Sequence, residues 1–242
     1  MMKKTLPFLF FFLLFSIVGC FDSPETVANI DTPPTIPPSP TATKTPIQPT
    51  QTPTLISTTT STPEPTGCRK PPDNYTRIQV NGWTLNQRTV AMLEYAQELY
   101  GGEIELTGYA ITQGSYNNSV SASFGTHAGG GAVDISVMRK GTYTVLWDDI
   151  PKLIHALRTA GFAAWFRDYG ELHENSPYHI HAIAIGDEEL SPAAQEQLTG
   201  DAGYFRSYSG LPVDRYGAPT EDRYGGPIIC QWMIQLGYQS LR

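Results

Sequence analysis

An α+β domain, with a small, largely antiparallel sheet and flanking helices, is the fold the sequence predicts for residues 68–242. Three observations predict it. Residues 179–185 alternate His179, His181, Ile183 and Ile185 with Ile180, Ala182 and Ala184, the period-two pattern of a strand that carries both histidines on one face. Elsewhere, apolar residues recur at helical spacing between capping and stopping residues. Strand-like and helix-like segments then follow one another without strict alternation, which argues against a doubly wound parallel sheet.

The elements justify themselves in order. Residues 86–100 place Val90, Leu93, Ala96 and Tyr100 on one side of a helix that stops at Gly101-Gly102. Residues 132–137 form a short apolar run interrupted by the single carboxylate Asp134, suited to a buried strand preceded by the Gly-rich loop 125–131. Residues 151–160 read as a helix with Leu153, Ile154 and Leu157 as its buried stripe and His155 at its surface. Ser191 caps, and Pro192 opens, a helix containing residues 193–198. The irregular tail carries Tyr204, Tyr208, Tyr216 and Tyr224, expected to pack over the core. There is no internal repeat, and a net charge of −7 argues against a nucleic-acid partner. The Gly129-Gly130-Gly131 run lacks the context of a phosphate-cradling or dinucleotide loop.

Its use is nearer at hand. His127 and Asp134, separated by that glycine turn, can converge on one cation, and a third ligand from the distant His179-Ile180-His181 segment closes three sides of a tetrahedron. Such a set holds zinc with the fourth position open, the mark of a catalytic site.

His127, Gly130, Ala132 and Asp134 match the His-x-x-Gly-x-Ala-x-Asp signature of the zinc D-Ala-D-Ala carboxypeptidases and peptidoglycan endopeptidases, the M15 peptidase type, whose fold is shared with the Hedgehog signalling domain. Residues 82–187 resemble that family. The resemblance implies zinc on His127, Asp134 and His181, with His179 beside the reacting carbonyl to stabilise its oxyanion. Leu106-Thr107-Gly108-Tyr109 resembles the strand that begins the family's site. Three positions depart from the pattern: Gly125 stands where many members have Ser, Ala110 where an Arg holds a substrate carboxylate, and Ser176 where the carboxypeptidases carry the general base. Glu174, the nearest carboxylate, takes the base role here, with Glu171 and Asp168 as fallbacks. Gln113 and Tyr116 are expected to contact substrate in place of the Arg, and the neutral Gln113 favours internal cleavage. The implied function is zinc-dependent hydrolysis of peptide bonds in peptidoglycan stem peptides or crosslinks, of D,D-carboxypeptidase or endopeptidase type. The alternative is a non-hydrolytic zinc module that binds cell-wall peptides or a surface partner.

The chain ends place this chemistry. Lys3 and Lys4 precede the apolar run 6–18, too short for a membrane span of about 20 residues and suited to a signal peptide over residues 1–19. Ile17-Val18-Gly19-Cys20 resembles a bacterial lipobox. That implies a lipid on Cys20 and anchorage to the outer face of a bacterial membrane, in the cell envelope. Residues 20–67 are a Pro/Thr/Ser tract that cannot bury a core and serves as a disordered tether, long enough to reach peptidoglycan. With Cys20 lipidated, Cys68 and Cys230 remain, and an extracellular setting would allow them a disulfide across a very long loop. Neither belongs to a Cys-x-x-Cys motif, which argues against their being zinc ligands.

Overall fold

Asn81 (φ 48°) and Gly82 (φ 80°) turn the chain between β1 (Arg77–Val80) and β2 (Trp83–Asn86) in the computed structural model, which describes residues 65–213 and 217–242. Positive φ at both positions is the hairpin geometry an Asn-Gly pair favours. The signal peptide, Cys20, the tether up to residue 64, and Tyr216 lie outside the described residues. Among the described residues no helix is long and apolar enough to cross a membrane.

β2 ends at Asn86, whose side chain accepts from Thr89 N at 2.8 Å and so caps α1 (Gln87–Tyr100). Gly101 closes α1 in the left-handed conformation. The expected strand at residues 106–109 is instead a turn, because the N–H groups of Gly108 and Ala110 both reach back to Glu105 O. The strand begins later, as β3 (Ile111–Gln113). There follow β4 (Ala132–Ser136), α2 (Ile150–Thr159), β5 (Phe162–Arg167), β6 (His179–Ala184), α3 (Pro192–Thr199) and the short α4 (Gln231–Gln235). Ser191 caps α3 by accepting from Ala194 N.

The main sheet has the order β3-β4-β6-β5, antiparallel throughout, as the fold class requires. Both faces are covered, and strand alternation sorts the residues between them. Val133, Ile135, Ile180, Ala182, Phe162, Ala164 and Phe166 face α1 and α2 in the larger core cluster. Ala132, Ala163, Trp165 and Ile183 face α3, Tyr204, Phe205 and the segment Cys230–Met233 in the second. Cys68 and Cys230 form the expected disulfide, which ties the start of the described chain beneath this second face.

Candidate metal centre

Register decides what stands beside what on the second face. Gln113 pairs with Asp134, Asp134 with His181, and His181 with Trp165, so one row of side chains crosses all four strands. The adjacent row on the same face holds Ser136, His179 and Arg167. His127 joins from the 3₁₀ turn Thr126–Ala128 just before β4. Two glycines bring that turn in. Gly131 adopts φ +76°, and a Cβ on Gly129 would stand 2.2 Å from Glu189 O.

The result is a tight triad. His127 Nε2 lies 3.3 Å from Asp134 Oδ1, and His181 Nδ1 lies 2.7 Å from the same oxygen. One ligand atom from each of His127, Asp134 and His181 lies within 4.8 Å of the others, so the three could hold a metal ion. Each imidazole is held from behind. Gly114 O faces His127 Nδ1 at 2.9 Å, and Gln197 Oε1 of α3 faces His181 Nε2 at 3.0 Å. A carbonyl behind the ring is how ligand histidines are fixed in tautomer and orientation.

The electrostatics make the same point. Burial is the largest influence on Asp134 and acts upward, yet His127 and His181 together hold its carboxyl well below the usual range. Burial also opposes charge on His127, but Asp134 and the Gly114 carbonyl outweigh it and raise that ring's pKa. His181 goes the other way: burial pushes it down to about 4 against the pull of Asp134. It is therefore a neutral ring between two oxygen acceptors, and a neutral ring can donate to only one of them. Were His181 Nδ1 and Asp134 to hold a cation, the conflict would be removed and Nε2–H left for Gln197.

His179 stands next to the triad without joining it. Its Nδ1 faces Pro177 O at 2.8 Å, and its Nε2, 4.0 Å from Asp134 Oδ2, is buried with no hydrogen-bond partner among the described residues. These groups line a cavity of about 160 Å³ together with Gln113, Ser123, Phe124, Arg167, His173 and Ser176. Two further depressions, of about 420 and 500 Å³, share its walls, one beside α3 and Gly210–Val213, the other beside Ser119–Ala122 and His173.

Other sequence-predicted residues are placed elsewhere. Gln113 lines the cavity and donates to Ser123 Oγ at 2.8 Å. Tyr116 does not line it: its hydroxyl bonds the Glu189 carboxylate and Asn86, and its ring lies under the Arg77 guanidinium. Glu174 is exposed and outside the lining, because the turn before β6 carries it into solvent. Glu171 accepts from Asp168 N and Asp168 pairs with Arg223; neither lines the cavity. Arg167 and Gln197 were absent from the sequence reading. Pairing Arg167 with His179 was the one signal for the first, and it needs the β5–β6 register; nothing local marks the second.

Compared with protein-family models, curated proteins and solved structures, the chain matches none.

Proposed function

We propose that the protein is a zinc-dependent hydrolase of cell-wall peptides, working in the envelope where a lipid on Cys20 would anchor it. The observation that carries this reading is the convergence of His127 Nε2, Asp134 Oδ1 and His181 Nδ1 in a cavity, with both rings held from behind by carbonyl oxygens. Two imidazoles and one carboxylate suit zinc with an open position, and the ion when bound polarises a carbonyl and acidifies water. The M15-like signature supplies the substrate class.

In this reading the proton-carrying role moves from Glu174 to His179. Asp134 is the one carboxylate that lines the cavity among the described residues, whereas His179 Nε2 is buried there and unpartnered. Pro177 O takes the Nδ1 proton, so in the neutral ring Nε2 is the basic nitrogen. It can take a proton from the attacking water and return it to the leaving amine; once protonated, it can donate to the oxyanion. Gln113 presents an amide for a substrate backbone, and the two flanking depressions leave room for chain on either side of the scissile bond.

Digestion of purified peptidoglycan tests this, with metal analysis before chelation, after it, and after zinc is restored. Chelator-sensitive release of fragments, reversed by zinc, is the expected result, and mass spectrometry then names the bond. The exposed position of Glu174 favours one second reading, a zinc module that binds wall peptides without cutting them. Stoichiometric zinc with no fragments from several wall types would select it.

A further inference from the structure

Among the described residues three arginines are almost wholly withdrawn from water, and two of them show what the fold ordinarily does with such a group. Arg88, 0% exposed, pairs with Asp73 at 2.7 Å and donates to Ile185 O. Arg158, 2% exposed, pairs with Asp222 at 2.5 Å and donates to the carbonyls of Ala164, Tyr224 and Gly226. A buried guanidinium without a carboxylate is costly, and these two have one each.

Arg167 is just as buried, at 2% exposed, and forms no ion pair among the described residues. Its Nη2 donates to Ser209 O at 2.9 Å, and its guanidinium lies 5.5 Å from the centre of the Trp165 ring. The carboxylates that could neutralise it are committed elsewhere. Asp222 belongs to Arg158, Glu171 accepts from Asp168 N, and Asp134 is enclosed by His127 and His181. Arg223 adds repulsion. Burial lowers the guanidinium's pKa to about 10, with Glu171 pulling upward, so the group keeps its charge at neutral pH. The unbalanced cation sits in the wall of the metal cavity, opposite His179 in the strand register.

We infer that Arg167 is the anion-holding residue of this cavity, and that the ligand taken there bears a carboxylate. A planar guanidinium with free N–H groups matches a carboxylate bidentately, which a lysine or an amide does not. A divalent ion on the triad, offset only by Asp134, adds to the positive field and leaves an anion as the fitting occupant. The residue thereby deepens the proposed function, on which it rests for the ligand's being a peptide: Gln113 is neutral, and the charged contact comes from β5 instead. Two peptide sources share this chemistry, a C-terminal carboxylate and an internal one such as the free α-carboxylate of a γ-linked glutamate.

Calorimetric binding to the metal-loaded protein tests it with three probes: N-acetyl-D-alanyl-D-alanine, the C-terminal amide of that dipeptide, and N-acetyl-γ-D-glutamyl-D-alaninamide, whose one carboxylate is internal. Chromatography of each mixture afterwards shows whether the probe stayed intact. One of the two acids should bind about 10–100-fold more tightly than the uncharged amide, the usual range for a charge-assisted contact; which acid does so identifies the source. Arg167→Gln should erase the preference and Arg167→Lys should restore part of it, both with unchanged metal content. Equal binding of acids and amide by the wild-type chain overturns the inference without any variant, as does a preference that survives Arg167→Gln in a folded protein. Failure of the zinc reading shows separately, as absent metal or absent cleavage.

Discussion

Gln197 is not itself one of the three candidate metal ligands and yet should set the affinity for metal. Its Oε1 stands 3.0 Å from His181 Nε2 in a buried setting, and with a metal held on Nδ1 it would accept the Nε2–H. Gln197→Leu removes that acceptor while keeping a side chain of similar bulk. The ring then loses a neutral hydrogen bond worth roughly 0.5–1.5 kcal/mol and keeps a buried N–H whose desolvation costs roughly 1–3 kcal/mol. Part of this relaxes, so a loss of about 1.4–2.8 kcal/mol, or roughly 10–100-fold in affinity, is expected, in line with other partners placed behind ligand histidines. Competition against a chromophoric zinc chelator at neutral pH reads it directly. Gln195→Leu, on the exposed side of the same helix, is the control and should leave zinc affinity unchanged. If Gln197→Leu binds zinc as tightly as the wild type, or loses no more than the control, the carbonyl behind His181 does not hold its tautomer and the reasoning fails.

Removing the disulfide by Cys68→Ser with Cys230→Ser should cost about 5 kcal/mol by loop closure across a separation of 162 residues, read as a lower urea midpoint; a midpoint indifferent to reductant refutes this. Chelated protein should lose stability as pH falls from about 6.5 towards 4, because the unfolded chain takes up a proton on His181 that the folded chain, with its pKa at about 4, refuses. The difference amounts to about 3 kcal/mol. The raised pKa of His127 works in the opposite sense, adding stability below about 6.5 that is lost as pH rises through its folded value, so a comparison with His181→Gln isolates the first effect. An identical pH slope in that variant would sink the assignment. Glu174→Gln should leave turnover nearly unchanged, whereas His179→Gln should lower it by about 10²-fold or more with zinc retained; the reverse order of effects restores Glu174 as the base.

The triad was legible because its information is local. Six residues, three of them the glycines of the turn, join His127 to Asp134, and period-two alternation alone puts His179 and His181 on one face. Helices α1 and α3 were legible for a similar reason, since Asn86, Gly101 and Ser191 do at their ends what those residue types do in isolation, whereas α4 falls in the tail that reads as irregular. The hairpin at Asn81-Gly82 was not legible, because its four-residue strands carry too little periodicity. Tyr116 and Arg167 were not. The expected contact of Tyr116 with substrate yielded to Glu189, Asn86 and Arg77, partners that only the folded chain brings near. Arg167 reaches the cavity only if β5 pairs with β6 in one register; a slip of one residue would turn it to the opposite face.

Topologically, the Cys68–Cys230 bond turns the domain into a ring, closed before β1 and again at the residue that precedes α4. A chain peels from an end, and this ring has none: tension entering along the residues ahead of Cys68 divides there between the path towards β1 and the path through sulfur to α4. The sheet, the triad and Arg167 all lie inside the loop. A pull on the amino-terminal side, with a ligand held in the cavity, would thus meet the sheet from two directions at once.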